Sequence, residues 1–201
     1  MRELIIALNL MFLTMVCFPQ EKGTFLDSRD GKIYKTVKIG GQTWLAENLA
    51  FRPVDGVVHI LNDDTANIKQ FGYLYDWETA VRMAPAGWHL PTNVEIDTLI
   101  KYINRVYNPN PFDALVKGGS SGFDALFGGS RIVGEYGPRG YVVNNGVFKN
   151  DGLVQFWTSK KTMILADAFF CQIFGLSEKD KRIFTGNSYY KSGHYIRLIK
   201  D

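Results

Sequence analysis

Cysteine is scarce in this chain: two thiols, Cys17 and Cys171, occur in 201 residues. The first falls in an apolar N-terminal run, so a domain that loses this run keeps one thiol and forms no internal disulfide. Exported domains commonly exploit an oxidising compartment to form bridges; here the core must suffice alone. Cys171 lies in Ala168-Phe169-Phe170-Cys171-Gln172-Ile173-Phe174, a strand-like apolar run. A buried, inert thiol is expected there, because a nucleophilic thiol needs an electropositive and partly open setting. Histidine is almost as sparse, at positions 59, 89 and 194. No His-x-x-x-His spacing occurs, so no metal site is expected from histidine pairs. No Gly-x-Ser-x-Gly elbow occurs either, and Ser120, Ser121 and Ser130 among their glycines read as turn formers.

An excess of one charge is also missing. Lys and Arg number 23 against 20 for Asp and Glu, and the signs are mixed along the chain, which excludes a field able to hold a nucleic-acid backbone. The densest basic segment, Glu178-Lys179-Asp180-Lys181-Arg182, carries two acids and reads as a solvated loop. Long apolar runs are confined to the N-terminus, where Arg2 precedes Leu4 to Phe18, broken only by Asn9 and Thr14. That run is shorter than the ~20 residues of a bilayer-spanning helix. Residues 1–20 are therefore expected to be a signal peptide rather than a buried helix, with one domain over 24–201 and no membrane-spanning segment in it. Leu13-Thr14-Met15-Val16-Cys17 is a faint lipobox that would make Cys17 a lipidation site, but Val16 stands where a small residue is expected. Mass spectrometry of the mature N-terminus separates the two outcomes.

What the sequence does have is a core: 46% of residues are apolar and 14% aromatic, ample for one domain. Lys32 to Ile39 alternates and Gly40-Gly41 leads into Gln42 to Ala46, a hairpin signal, since glycine adopts the positive φ of a tight turn without strain. Residues 51–70 lose periodicity and read as a loop. Tyr73-Leu74-Tyr75 is strand-like, and Asp76 is placed to cap a short helix through Trp77, Ala80 and Val81. In Thr92-Asn93-Val94-Glu95 the spacing predicts a capping box, which commits Glu95 to the helix start. Val94, Ile96, Leu99, Ile100, Ile103 and Val106 then recur at helical spacing, ending before Asn108-Pro109-Asn110-Pro111. From Lys117 to Asp151 glycines dominate and loops are expected, with an Asn-Gly hairpin in Tyr141 to Phe148. Strands are expected over 154–159, 166–176 and 194–199. Strands flanking one or two helices without βαβ alternation predict an α+β fold with antiparallel pairing.

Four segments together resemble the Fibrobacter succinogenes major paralogous domain family, a set of exported bacterial domains. They are Asp27 to Gly40 continued by Gln42 to Leu49 ("DSRDGKIYKTVKIG", "QTWLAENL"), Gly72 to Trp77 ("GYLYDW"), Pro85 to Thr92 ("PAGWHLPT") with Glu95, and a tail of "GGSR", "FWTS" and "GHYIRLIKD". The resemblance implies a C-type-lectin-like domain, distantly similar to formylglycine-generating enzymes, with one or two helices beside a small antiparallel sheet and a long irregular loop region. It implies little chemistry, because a fold does not determine function. Family members carry cysteines where this chain has Ala84 and Leu198. The resemblance therefore implies a disulfide in relatives that an apolar contact replaces here.

Those enzymes need active-site cysteines that this chain lacks, and the motifs of calcium-dependent lectins are absent. His89 is expected to be structural, with Trp44, Trp88, Thr92, Glu95 and Trp157, and no catalytic residue or cofactor is assigned. A carboxylate beside His59 or His89 would favour an enzyme instead. Asn62-Asp63-Asp64 and Asn150-Asp151 offer oxygen ligands to a hard cation but read as plain turns. The expected binding surface is the loop set Tyr136, Arg139, Tyr141, Asn144, Asn145, Asn150 and Asp151, which mixes flat aromatics with amides and charges. A recognition or adhesion module for a glycan or an envelope protein follows. An enzyme of carbohydrate or protein modification, or a structural envelope component, is the alternative.

Overall fold

The computed structural model describes residues 20–137, 140–142, 146–165 and 168–201, with side chains described outside 135–145 and 165–168. The expected leader up to residue 19, Cys17, Arg139, Asn144 and Asn145 lie outside the described residues. Three antiparallel strands open the fold: β1 (Lys22–Asp27), β2 (Lys32–Ile39) and β3 (Gln42–Leu45). The turn between β2 and β3 is Gly40-Gly41, with Ile39 opposite Gln42 and Gly40 at φ +60°. Strand β1, which pairs with β2 from Lys22 opposite Val37 to Asp27 opposite Lys32, precedes the hairpin that periodicity reveals.

The 51–70 segment holds more structure than a loop. β4 (Val58–His59) pairs with β5 (Leu74–Tyr75), and between them come two 3-10 turns and the short helix α1 (Ile68–Phe71). Helix α2 (Trp77–Ala80) starts at Asp76, whose carboxylate accepts from the Thr79 N–H at 2.8 Å. β6 (Trp88–His89) then leads to α3 (Asn93–Val106), which buries Ile96, Leu99 and Ile103. The buried stripe is narrower than the sequence periodicity: Ile100 is partly buried, while Val94 and Val106 at the two ends are exposed. The prolines that end α3 also begin α4 (Pro111–Leu115), because proline suits the first helical position.

The glycine-rich region departs from expectation. β7 (Ser130–Ile132), β8 (Glu135–Gly137), β9 (Gly140–Val142) and β10 (Val147–Lys149) form two ribbons, with β7 on β10 and β8 on β9. The centre of the expected hairpin of Tyr141 to Phe148, residues 143–145, lies outside the described residues; of its flanks, Val142 pairs with Glu135 and Val147 with Ile132. Gly146 has φ +81°, and a Cβ there would collide with the Arg131 guanidinium. This glycine provides a close approach.

β11 (Leu153–Leu165), β12 (Ala168–Ser177) and β13 (Arg182–Tyr189) form a second antiparallel sheet. β11 runs past the expected Ser159 through an irregular register between Trp157 and Met163, while β13 has no clear alternation in sequence. β14 is only Ile199–Lys200, not 194–199. It joins the first sheet in the order β1-β2-β3-β14-β6. Preceding residues pair one at a time with different partners: His194 with Tyr75, Tyr195 with Gln155 and Trp157, Ile196 with Leu49, Leu198 with Leu45. Such a segment forms no ladder.

Successive residues along these central segments enter different cores. Trp44, Phe156, Tyr195 and Ile199 belong to one apolar cluster, whereas Leu45, Trp157, Ile196 and Leu198 belong to another. Side chains alternate across an extended backbone, so both faces are buried and the apolar runs are continuous. The fold is α+β, with few helices and mostly antiparallel sheets. Among the described residues no helix is long and apolar enough to cross a membrane.

Candidate functional site

The run Tyr195-Ile196-Arg197-Leu198-Ile199 places a cation among fully buried neighbours. Alternation turns Arg197 to the same side as Tyr195 and Ile199, and its guanidinium carbon lies 4.7 Å from the Phe123 ring centre and 5.5 Å from that of Phe156. Its Nε donates to Asn48 Oδ1 at 2.8 Å, Nη1 to the carbonyls of Leu45 (3.2 Å) and Phe123, and Nη2 to that of Asp124 at 3.0 Å. A guanidinium has five N–H donors, so one Nη2 hydrogen is left without a protein acceptor. All four partners are neutral, and no carboxylate pairs with Arg197 among the described residues. Burial lowers its pKa to about 9, which leaves it charged at neutral pH. A buried charge held by neutral acceptors and not neutralised projects its field outward.

That field opens into a cleft of about 220 Å³ that Arg197 helps to line. Lys32 and Lys35 come from β2, Glu47 and Asn48 from the turn after β3, and Lys69 and Gln70 from α1. Lys117 and Asp124 flank a loop closed by the backbone bond from Lys117 N–H to Ala125 O at 3.1 Å. The cleft has five cationic side chains against two carboxylates. Glu47 accepts from the Lys35 N–H at 2.9 Å and Asp124 from the Gly118 N–H at 2.8 Å, so backbone donors hold both acids in place. Burial lowers the pKa of Lys32, partly offset by Glu47 and Asp30. Gly72 bends sharply at φ +73°, and a Cβ there would stand 2.5 Å from the Leu49 carbonyl oxygen, so no other residue fits that wall without displacement.

Of the expected loop residues whose side chains are described, Asn150 and Asp151, neither lines this cleft. Tyr136 and Tyr141 lie directly opposite each other in the β8–β9 ribbon, while Asn150 and Asp151 are exposed between β10 and β11. The cleft went unread because its residues are scattered through the sequence. The signal that could have found it is Arg197, a cation inside an apolar run, which must have a dedicated set of partners.

The stretch that begins α3 is a second cluster. Both bonds of the capping box form: Thr92 Oγ1 accepts from the Glu95 N–H at 3.3 Å, and Glu95 Oε2 accepts from the Thr92 N–H at 2.8 Å. The other Glu95 oxygen lies 2.8 Å from His89 Nε2, and His89 Nδ1 lies 2.6 Å from Asp201 Oδ1. Pairing of β6 with β14 brings Asp201 there. A neutral imidazole donates only one hydrogen bond, so this double clasp calls for the imidazolium. Replacing Thr92 with alanine should lower the unfolding free energy by about 1 kcal/mol, measured by urea denaturation.

Partial burial opposes charge on His89, but hydrogen bonds with Asp201 and Glu95 outweigh it and raise its pKa above the ordinary 6.5. On Glu95, burial is outweighed by hydrogen bonds from Thr92 and His89, which lower its pKa below 4.5. His89 contributes stability fully below 6.5 and loses it as pH rises through its raised folded value. Glu95 contributes above 4.5 and loses it as pH falls through its lowered one. The stability difference between wild type and His89→Gln should therefore be largest near about pH 5.5 and shrink toward about pH 9. Urea midpoints across this range check it, and a pH-independent difference contradicts it.

The remaining histidines have other surroundings. His194 is fully buried, its Nε2 2.7 Å from Ser188 Oγ, its ring edge-on to Trp157, and its Nδ1 without a partner. Burial lowers its pKa to about 3, so it stays neutral. His59 Nε2 faces Arg131 Nη1 at 3.4 Å, and burial, then Arg131, lowers its pKa. Cys171 is buried, which pushes its thiol up to about 12. Ala84 packs against the same apolar cluster that contains Leu198 and Trp88. Asp64 caps the turn at Ala66 at 2.9 Å. Among the described residues no group of three or more His, Cys, Asp or Glu is arranged to hold a metal ion.

Residues 37–200 match the family model described as the Fibrobacter succinogenes major domain. Neither a curated protein nor a solved structure matches the chain.

Proposed function

The chain belongs to the Fibrobacter succinogenes major domain family, and on that premise we propose that it is an exported, non-enzymatic recognition or adhesion module of the bacterial cell envelope with a C-type-lectin-like fold. The observation that carries this reading is the cleft at Arg197. A buried cation fixed by hydrogen bonds to its neighbours sits beneath a rim of lysines and two anchored carboxylates, a rigid set of polar groups suited to holding a ligand. A glycan array and an envelope-extract pull-down test it. The purified protein should retain a defined component, and replacing the cleft lysines should abolish retention, whereas loss on replacing Asn150 and Asp151 instead would assign recognition to the loop surface. Retention of nothing, or retention indifferent to both replacements, contradicts the reading.

A second reading, an enzyme that modifies carbohydrate or protein, has one observation in its favour: His89 stands between the carboxylates of Glu95 and Asp201. Both ring nitrogens are engaged, and none of the three residues lines the Arg197 cleft. Turnover of an envelope glycan or peptide that disappears in His89→Gln would carry that reading.

A further inference from the structure

We infer that the cleft over Arg197 binds an acidic sugar residue, one ring of a glycan carrying a carboxylate or sulfate, held by Lys35, Lys69 and Lys117 around the buried guanidinium. The inference rests on the recognition reading and gives it a ligand class. Five cations against two carboxylates is an excess of three, as large as the formal net charge of the whole chain, +3. Lys35, Lys69 and Lys117 have no ion-pair partner among the described residues. One exposed lysine attracts an anion weakly, but several converging on a cleft focus their field on whatever enters it.

The two carboxylates narrow the class. Glu47 and Asp124 each have one oxygen engaged by a backbone N–H, which leaves the other free to accept. A bare anion would be repelled by them, whereas a ring bearing hydroxyl donors beside an acidic group meets both signs. Among the described residues no aromatic side chain lines the cleft, so selection by the described lining rests on charge rather than on the stacking that commonly holds neutral sugars. The volume, about 220 Å³, falls below the ~300 Å³ at which pockets begin to enclose drug-sized ligands. It suits one ring of a longer chain.

The test measures binding of a uronate oligomer, its methyl ester and a sulfated oligosaccharide by calorimetry, with inorganic phosphate as a bare-anion probe. Wild type should bind the uronate or the sulfated oligomer, more weakly as salt rises, and should not bind the neutral ester. The triple variant Lys35→Gln/Lys69→Gln/Lys117→Gln should bind at least about tenfold more weakly. A charge-matched control, Lys101→Gln/Lys160→Gln/Lys179→Gln, should bind like wild type. Equal binding of the uronate and its ester, equal losses in the two triple variants, phosphate binding as tightly as the oligomers, or no binding of either acidic oligomer would each overturn the inference. If the acidic oligomers fail while the array yields a ligand lost on replacing Asn150 and Asp151, the recognition reading stands and this inference falls. If nothing is retained in either assay, both fall.

Discussion

Replacing Arg197 with leucine is expected to lower the unfolding free energy by about 3–5 kcal/mol, a large fraction of the roughly 5–15 kcal/mol of an ordinary domain. Four acceptors lose their donors together: Asn48 Oδ1 and the carbonyls of Leu45, Phe123 and Asp124. A buried acceptor left unpaired costs about 1–3 kcal/mol. Relief from burying a charge offsets part of that sum, as when buried ion pairs are replaced by apolar groups. Here the offset is incomplete because three of the acceptors are backbone carbonyls on two buried stretches, at Leu45 and at Phe123-Asp124, that cannot all turn to water. Arg197→Lys should lose about 2 kcal/mol, since an ammonium keeps the charge but cannot span four acceptors in a plane. Urea denaturation checks both variants. A leucine variant as stable as wild type would mean that the guanidinium is a net burden on the fold.

Trp157→Ala should cost a similar amount, about 3–5 kcal/mol. Trp157 is fully buried in the cluster with Tyr75 and Leu198, and its Nε1 donates to the Tyr75 carbonyl at 2.7 Å. Its ring also meets His194 with centroids 4.4 Å apart. Trp157→Phe separates the terms. It keeps much of the apolar area and removes one of two donors to the Tyr75 carbonyl, which still accepts from the His194 N–H at 3.1 Å, so about 1 kcal/mol is expected. Thermal or urea unfolding of the two variants checks this. Equal losses would place the whole effect in the hydrogen bond.

Which parts of the molecule were legible in sequence follows from how local their physics is. The hairpin at Gly40-Gly41, the cap at Asp76 and the helix from Asn93 are set by neighbouring residues, and they form where the sequence places them. The apolar run at 194–199 misled because it resembles a strand. Its residues are buried on both faces, and their backbone bonds go to four different segments. Gly146 was illegible for a different reason: the glycine admits the Arg131 side chain, a contact that no local rule contains. The cleft is the extreme case. It draws on β2, the turn after β3, α1, the 117–124 loop and Arg197, so only tertiary structure assembles it. Among the described residues, the expected loop surface and the observed cleft have no residue in common.

The Arg197 cleft is the proposed seat of recognition. Hydrogen exchange of the purified protein with and without an acidic oligosaccharide tests it most directly. Slower exchange on ligand addition should map to residues 45–48, 69–72 and 117–125, with little change across 146–151. Protection confined to 146–151, with the cleft segments unaffected, would contradict it.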